Sequence, residues 1–389
     1  MRILYVSDVF YPRVNGVSTS IATFRASLLD RNVETILVAP EYAAEGADPT
    51  IVRIPSRVIP FDPEDRVMKF RVLKHQLDAL AKQPFDLIHI HTPFAAHYAG
   101  VDLAKKLKIP VVETYHTFFE EYIHHYVPFL PRALTAPLAR SLSRSQCQAV
   151  DALVIPSPQM QAALSDYGVT TPGIVLPTGI DLNRFKGGDG KRFRARYGID
   201  PNRPVLVHIS RVAHEKNIDF IVRMLAHVRA RIPEVLLIIA GEGPAVTHLK
   251  QLVQKLDLVN NVMFVGYLER STELLDCYRA GDAFVFASRT ETQGLVLLEA
   301  LALEVPVVST AVMGTADVLK EARGAVVVDE DQTRFADACV RVLNDASLRQ
   351  TLAAHGPSDA RAFSADVMAD RLLEFYRDCI QRGSRFLRH

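Results

Sequence analysis

Cysteine is scarce in this sequence. The four present, Cys147, Cys277, Cys339 and Cys379, lie far apart with no C-x-x-C pair. That pattern builds neither a disulfide framework nor a thiolate metal cluster, and it fits a reduced, cytoplasmic compartment. Net charge is missing too: 45 Lys and Arg against 44 Asp and Glu leave +1. A nucleic-acid binder that works by overall charge is thereby excluded, while local patches stay open. No apolar run approaches the ~18 residues needed to span a bilayer. The opening Met1–Asp8 carries an acid within its first eight residues and no long apolar core, so a signal peptide is not expected. Repeats and low-complexity tracts are not found in the sequence either.

What the sequence does hold is enough apolar material for two cores. At 389 residues, 49% hydrophobic and 23% charged, the chain is globular and too long for one ordinary domain. In the first half, apolar patterns at Ile3–Val6, Thr35–Val38, Leu87–Ile90, Val111–Thr114 and Ala152–Ile155 alternate with helical patterns. Such alternation predicts a parallel sheet wrapped by helices, an α/β, Rossmann-like half. A shift to glycine and charge over Phe185–Gly190 marks a linker, which sets one domain at 1–185 and a second at 186–365. Apolar residues at Val367, Leu372, Leu373, Phe375, Tyr376 and Ile380 make Asp366–Ile380 an amphipathic helix.

The second half is organised around Ser288–Ala300. Ahead of it, Ala283–Ala287 is continuously apolar and partly aromatic, which suits a strand buried on both faces, and a helix is predicted to start near Gln293. A strand that ends in a polar turn and restarts as a helix offers anions a seat, because the first N–H groups lack partners and carry partial positive charge. Gly294 lets a ligand come close to the backbone there. Glu291 and Glu299, eight positions apart, would be separated by roughly 12 Å if both were helical. That length suits a nucleotide sugar, one carboxylate holding hydroxyls of the sugar and the other those of the ribose.

Glu291 and Glu299 resemble the E-x7-E motif of retaining GT-B glycosyltransferases of the family-4 type, and Val305–Ser309 looks like that family's next strand. The resemblance covers nearly the whole chain. It implies a GT-B fold, two Rossmann-like parallel-sheet domains facing a cleft, with a C-terminal helix at about 366–389 that packs back on the first domain. It also implies that Glu291 contacts the donor sugar and Glu299 the ribose, while Gln293, Gly294 and Leu295 give backbone N–H groups to the diphosphate.

Earlier in the chain, the turn Asp8–Thr19 is not G-x-G-x-x-G, so dinucleotide binding is poorly supported. Gly16, opening a helix at the carboxyl end of a strand, could approach a phosphate. The family often carries two glycines at this turn, and here the pair is Asn15-Gly16. Ile88–Phe94 and Val111–Tyr122 both place histidines at strand ends, where loops of this architecture carry chemistry. His91 is read as a histidine hydrogen-bonded inside the fold. Thr114-Tyr115-His116-Thr117 closely resembles a segment of the glycosyltransferases that build glycosyl diacylglycerols, where the histidine lines the cleft beside the transferred sugar. By that resemblance His116 is the active-site choice, supported by Glu120 or Glu121.

From Tyr122 to Val150 there is no Asp or Glu, while Arg132, Arg140 and Arg144 are interleaved with Phe129, Leu130, Leu134, Leu138 and Leu142. Leucines four apart with arginines beside them suit a surface that meets anionic lipid head groups. Pro131 and Pro137 are expected to interrupt any single helix. A core-facing helix with solvated arginines is the other reading of this composition; the family resemblance favours membrane contact. The tail Arg382–His389 combines three arginines with Phe386 and Leu387, which again suits a membrane, with disorder as the alternative.

In the second half, Val205–Asn217 delivers Arg211 and Lys216 into one loop, two cations that a diphosphate could bridge. The stretch resembles the family's G-R-x-x-x-x-K-G/N segment with Ser210 in the glycine place; in those enzymes this Arg and Lys neutralise the departing nucleoside diphosphate. Gly243, in the turn after Leu236–Ala240, and the run Val262–Leu268 stand where a nucleotide base would be enclosed. Val312–Asp317 stands where the family usually has Gly-Gly-x-x-Glu, and Thr315 and Asp317 depart from it. Asp329-Glu330-Asp331 spells the D-x-D of metal-dependent transferases. It follows the strand Ala325–Val328, away from the other motifs, and is read as a solvated acidic turn, with no metal needed.

The resemblance thus implies a retaining, metal-independent hexosyltransferase with no cofactor beyond its nucleotide-sugar donor. UDP-glucose or a similar UDP-hexose is the expected donor and a diacylglycerol-type membrane lipid the expected acceptor, with the protein peripheral on the cytoplasmic face. A GDP-mannose-dependent α-mannosyltransferase of the same fold is the nearest alternative. From other classes stand a nucleotide-sugar 2-epimerase and an inactive lipid-surface protein. No nucleic-acid partner is expected.

Overall fold

A computed structural model of the chain describes residues 1–13, 15–42, 48–59, 62–116, 132–291 and 293–387, with the side chains of 59, 62–65, 132–136 and 387 excepted. The chain divides into two compact units, Met1–Gly179 with Ala365–His389, and Ile180–Ser364. The first runs β1 (Arg2–Val6), α1 (Gly16–Leu29), β2 (Glu34–Pro40), β3 (Ile51–Ile54), β4 (Ser56–Ile59), β5 (Asp62–Met68), α2 (Phe70–Leu80), β6 (Leu87–Ile90), α3 (Ala95–Leu107), β7 (Val111–Thr114), α4 (Arg132–Cys147), β8 (Ala152–Ile155), α5 (Pro158–Asp166) and β9 (Gly173–Val175). The second runs α6 (Gly190–Arg196), β10 (Val205–Ile209), α7 (Ile218–Arg229), β11 (Leu236–Ala240), α8 (Val246–Lys255), β12 (Val262–Gly266), α9 (Glu273–Ala280), β13 (Ala283–Phe286), α10 (Leu295–Ala302), β14 (Val307–Ser309), α11 (Gly314–Leu319), β15 (Ala325–Val327), α12 (Gln332–Asn344) and α13 (Ala346–Arg361). A last helix, α14 (Ala365–Arg382), belongs to the first unit.

Each unit is built on one parallel sheet. The strand orders are β3-β2-β1-β6-β7-β8-β9 and β12-β11-β10-β13-β14-β15, and β4 with β5 makes a separate antiparallel hairpin. In each sheet the chain moves outward from its first strand and then resumes on that strand's other side. The order therefore reverses between β1 and β6, and between β10 and β13. Loops leaving the carboxyl ends of adjacent strands diverge there, and the crevice they leave is where such sheets take ligands.

Helices on both sides bury both faces of these strands, which is why the strands read as apolar runs. Side chains alternate between the faces. In the second unit Leu206, Leu237, Ile239 and Val285 share a core with Ile221 and Leu225 of α7 and Phe335 of α12. Val207, Ile238, Phe284 and Phe286 share the opposite one with Tyr278 of α9 and Leu297 and Leu301 of α10. In the first unit, Ile3, Tyr5 and Leu87 meet Ile21, Phe24 and Leu28 of α1 together with Met368, Leu372, Leu373 and Tyr376 of α14. Burial of Met368, Leu372 and Leu373 contributes about 1.5–3 kcal/mol for each, so this face holds the last helix.

Helix starts follow local chemistry. The Asn15 side-chain oxygen accepts a hydrogen bond from Ser18 N at 2.9 Å and caps α1. Ser157 caps α5 with Pro158 in its first turn. Over Phe185–Gly190, read as a linker, the structure is more bonded than that reading implies: Asp189 caps α6 and its N–H donates to Asp276 of α9 at 2.6 Å.

Two expectations are corrected here. Pro137 does not interrupt its helix; α4 runs Arg132–Cys147 through it. The proline stands in the second turn, so a single i to i−4 bond is forgone and later turns keep theirs. The disorder alternative for the tail is overturned where it is described: Arg385 N–H donates to Asp151 at 2.8 Å, its guanidinium to Val150 O at 3.0 Å, and Phe386 packs on the first unit's core with Lys105 over its ring, while Arg388 and His389 lie outside the described residues.

Candidate active site

In the second unit, β10 and β13 lie side by side and send two loops past their carboxyl ends. The first carries Arg211 and Lys216; the second carries Glu291 and Gly294 into α10. Lys216 Nζ and Glu291 Oε2 meet at 2.7 Å with side chains only 19% and 22% exposed, so water screens the pair weakly. The same loops are also tied by Asn217, whose amide donates to Ala287 O at 3.0 Å and to Glu330 at 3.2 Å. Arg211 is not brought to this pair. It is 67% exposed and leans on Glu215 at 3.6 Å, one helical turn along its own loop.

Gly294 caps α10 in the left-handed conformation, φ +68°, which a side chain would strain; a Cβ there would also stand 3.2 Å from Leu297 and Thr315. Its N-cap residue, a glycine, has no side chain with which to cap the helix. Gln293, Gly294 and Leu295 therefore lead directly into an N-terminus of partial positive charge, with the Lys216–Glu291 pair on the residue two before Gln293. Glu299 is on the second turn of α10, buried, and receives the Tyr278 hydroxyl at 2.7 Å and Arg270 at 3.3 Å. Burial raises its pKa, offset in part by those two partners. Neither Tyr278 nor Arg270 was legible in the sequence, because both come from other elements that contact Glu299 only in the fold.

Gly243 has a structural reason of its own. A Cβ there would sit 2.2 Å from Val212 O, so this turn packs backbone against backbone below the Arg211 loop. Of the departures from the family pattern, Thr315 has a structural place. Thr315 is wholly buried under Gly294 and bonds its own turn, accepting from Val312 N at 2.9 Å.

Asp329-Glu330-Asp331 is expected from sequence to stand away from the other motifs, and it does not. Glu330 pairs with Arg289 and Asn217, which flank the Glu291 and Lys216 loops. Asp329 pairs with Arg334 at 2.7 Å and Asp331 caps α12, so each acid has a local partner. His208 is a third residue missed by sequence. Its two ring nitrogens bond Val285 O at 2.9 Å and Ser210 Oγ at 2.8 Å, and burial lowers its pKa to about 4. The serine in the usual glycine place therefore serves as a partner for a buried imidazole.

The carboxyl edge of the first unit is different in kind. Asp8, just past β1, accepts from Thr92 Oγ1 at 2.8 Å and Ala96 N at 3.1 Å, which caps α3; burial pushes its pKa up to about 6. Gly16 begins α1, exposed, with nothing within 4 Å of where a Cβ would stand. His91 and His116 follow β6 and β7 and stack with ring centroids 5.8 Å apart. His91 in turn lies 4.1 Å from His89 and 4.5 Å from Tyr5. His89 is fully bonded, Nδ1 to Tyr376 OH at 2.5 Å and Nε2 to Thr114 Oγ1 at 2.7 Å, and Tyr376 OH continues to Tyr5 OH at 2.8 Å. The last helix thus reaches, through one imidazole, the strand end that carries His116.

His116 is half-buried, its Nε2 has no hydrogen-bond partner among the described residues, and burial lowers its pKa to about 4. It is a neutral imidazole at pH 7. The expectation that His91 is hydrogen-bonded inside the fold is overturned: it is 1% exposed, yet neither ring nitrogen has a partner among the described residues. Glu120 and Glu121 lie outside the described residues, as do Phe129, Leu130 and the side chains of Arg132 and Leu134. On the rest of α4, Leu138 is 65% exposed and Arg140 is exposed, whereas Leu142 packs on the core. Among the described residues no helix is long and apolar enough to cross a membrane.

The description of the Glycosyl transferases group 1 family matches residues 189–359, and that of Glycosyltransferase Family 4 matches residues 14–184. An alpha-monoglucosyldiacylglycerol synthase of Streptococcus pneumoniae is 34% identical over 317 residues, 79% of this chain and 71% of that protein. A protein of the same name from Acholeplasma laidlawii is 24% identical over 400 aligned positions, 100% of this chain and 99% of its own length. The solved structure of Anabaena HepE in complex with UDP has the same fold, with TM-score 0.76 at 18% identity over 97% of this chain and 100% of that one. Two parallel-sheet α/β units of the GT-B kind, matched by family over both halves, make this chain a member of the group 1, family-4 type glycosyltransferases.

Proposed function

We propose that this glycosyltransferase moves a hexose from UDP-glucose, or a similar UDP-hexose, to a diacylglycerol-type lipid at the cytoplasmic face of a membrane, with retention of anomeric configuration and without a metal ion. The observation that carries the donor class is the Lys216–Glu291 pair beside the glycine-led start of α10. A nucleoside diphosphate sugar supplies both halves of that pair with new partners. Its diphosphate takes Lys216, Arg211 and the first N–H groups of α10, while the carboxylate of Glu291 accepts sugar hydroxyls and Glu299 those of the ribose. Stabilising the charge that grows on the leaving phosphate is the largest catalytic contribution in this scheme. The leaving phosphate also takes the proton of the acceptor hydroxyl on the same face, and His116 orients the sugar or acceptor.

The names of the two diacylglycerol-glucosylating relatives support the lipid acceptor, and exposed Leu138 and Arg140 on α4 suit a bilayer surface. Four free, buried cysteines suit a reducing compartment. The test is a panel of radiolabelled UDP- and GDP-sugars offered with membrane lipid extract. Label from UDP-glucose is expected in an organic-phase product whose linkage reads as α by NMR. Label from GDP-mannose alone would replace the donor, an altered free sugar formed without acceptor would indicate an epimerase, and no turnover of any donor would leave only the lipid-surface reading.

A further inference from the structure

Buried polar atoms almost always find a hydrogen-bond partner, because leaving one unpaired forfeits the bonds it made to water. His91 breaks that rule twice over. Its ring is 1% exposed and neither Nδ1 nor Nε2 has a partner among the described residues. The adjacent imidazole, His89, shows what a structural histidine does in the same core: both of its nitrogens are bonded. A phenylalanine could occupy the place of His91 between Tyr5, His89 and His116 with no such loss. The neighbouring ring, His116, carries a further unpaired Nε2 and is the partly exposed member of the stack.

We infer that His91 is a substrate-contacting residue, whose ring nitrogens pair with a hydroxyl group of a neutral, polyol-bearing ligand seated against His116. A neutral imidazole carries one donor and one acceptor nitrogen, and a hydroxyl does both, so the two are matched. An anion is disfavoured, since burial keeps this ring uncharged. The ligand reaches His91 past the ring of His116. This deepens the proposed glycosyl transfer, on which it rests, by assigning the sugar or glycerol hydroxyls of the reaction a second imidazole in the first unit.

The experiment separates use from structure by reading stability and activity together. In His91→Phe the stack is kept and the unpaired nitrogens are removed. The melting temperature is expected to stay level or rise by about 2–4 °C, while kcat/KM with UDP-glucose and diacylglycerol in detergent micelles falls about ten- to a hundredfold. UDP affinity by calorimetry stays the same, and His91→Gln, which restores a donor and an acceptor, recovers part of the rate. In NMR, the imidazole signal that disappears in His91→Phe is expected to shift when UDP-glucose and the lipid are added to the wild type. A melting temperature that drops in both variants would make His91 structural and overturn the inference. So would an unchanged kcat/KM in His91→Phe, or an imidazole signal that ignores the substrates. If the wild type transfers no sugar from any donor, the proposed function fails on its own; a stabilised His91→Phe together with a signal that moves on adding glucose or glycerol would still support a hydroxyl site at His91, and a destabilised variant or an unmoved signal would remove it.

Discussion

The carboxyl edges of the two sheets occupy equivalent places in equivalent topologies, yet they are built of opposite materials. In the second unit the edge is a set of charges closed on one another: Lys216 with Glu291, Arg211 with Glu215, Arg270 with Glu299, Arg289 with Glu330. In the first it is a group of neutral imidazoles, His89 and His91 buried and His116 half-buried, beside a carboxyl that burial holds partly protonated near neutrality. The topology fixes where a ligand can sit; the loops fix what it must carry. An ion pair already removed from water can exchange one member for a phosphate or a hydroxyl without exposing an unpaired charge. An unpaired neutral ring instead suits an uncharged group that both donates and accepts.

The sharpest way to break this contrast is Lys216→Ala, which removes the cation and strands Glu291. Transfer is expected to fall by about 10²–10³-fold, with weaker UDP binding in calorimetry; a variant of normal rate would deny the charged edge its role. His116→Ala comes next, with a loss of about 10²-fold in transfer at undiminished UDP affinity. If UDP affinity fell as well, the division of labour between the two edges would be lost. Arg211→Ala should be milder, about tenfold in UDP affinity and less at high salt, because this guanidinium is exposed. An affinity unmoved at low salt would leave Lys216 as the sole cation of the loop.

The smallest expected effect is on acid stability. Burial lowers His116 and His208 from 6.5 to about 4 and takes His89 and His91 well below 6.5. A lowered histidine takes up its proton more readily in the unfolded chain, so its contribution is complete above 6.5 and is lost as pH falls toward the folded value. Asp8 runs the other way: raised from 3.8 to about 6, its contribution is complete below 3.8 and fades as pH rises through about 6. Among the described residues three such imidazoles lie in the first unit and one in the second. Hydrogen exchange at pH 5 is expected to show the first unit losing protection ahead of the second, and equal losses would erase the distinction.

Much of this was legible without coordinates. Apolar runs bounded by polar turns predict the central strands of both sheets, because a strand covered on both faces has little choice of residue. The short edge strands β3 and β9 and the hairpin of β4 and β5 carry patterns too weak to read, since edges are partly wet and tolerate polar residues. The two glutamates and Lys216 could be named because their motifs resemble the family's, on a helix start after a buried strand where an anion can sit.

What the linear order could not decide is who pairs with whom. Lys216 meets Glu291 across 75 residues, and Tyr376 meets His89 across 287. The sequence by itself determined two parallel-sheet units and the identity of the chemical groups at their edges, through periodicity, composition and motifs that resemble the family's, all of which are local. Only the tertiary structure decided that Arg211 turns to its own loop, that Tyr278 and Arg270 hold Glu299, and that His89 is bonded while His91 is not. Hydrogen bonding and desolvation act over a few ångströms in space, and two histidines two positions apart at a strand end can differ in them completely.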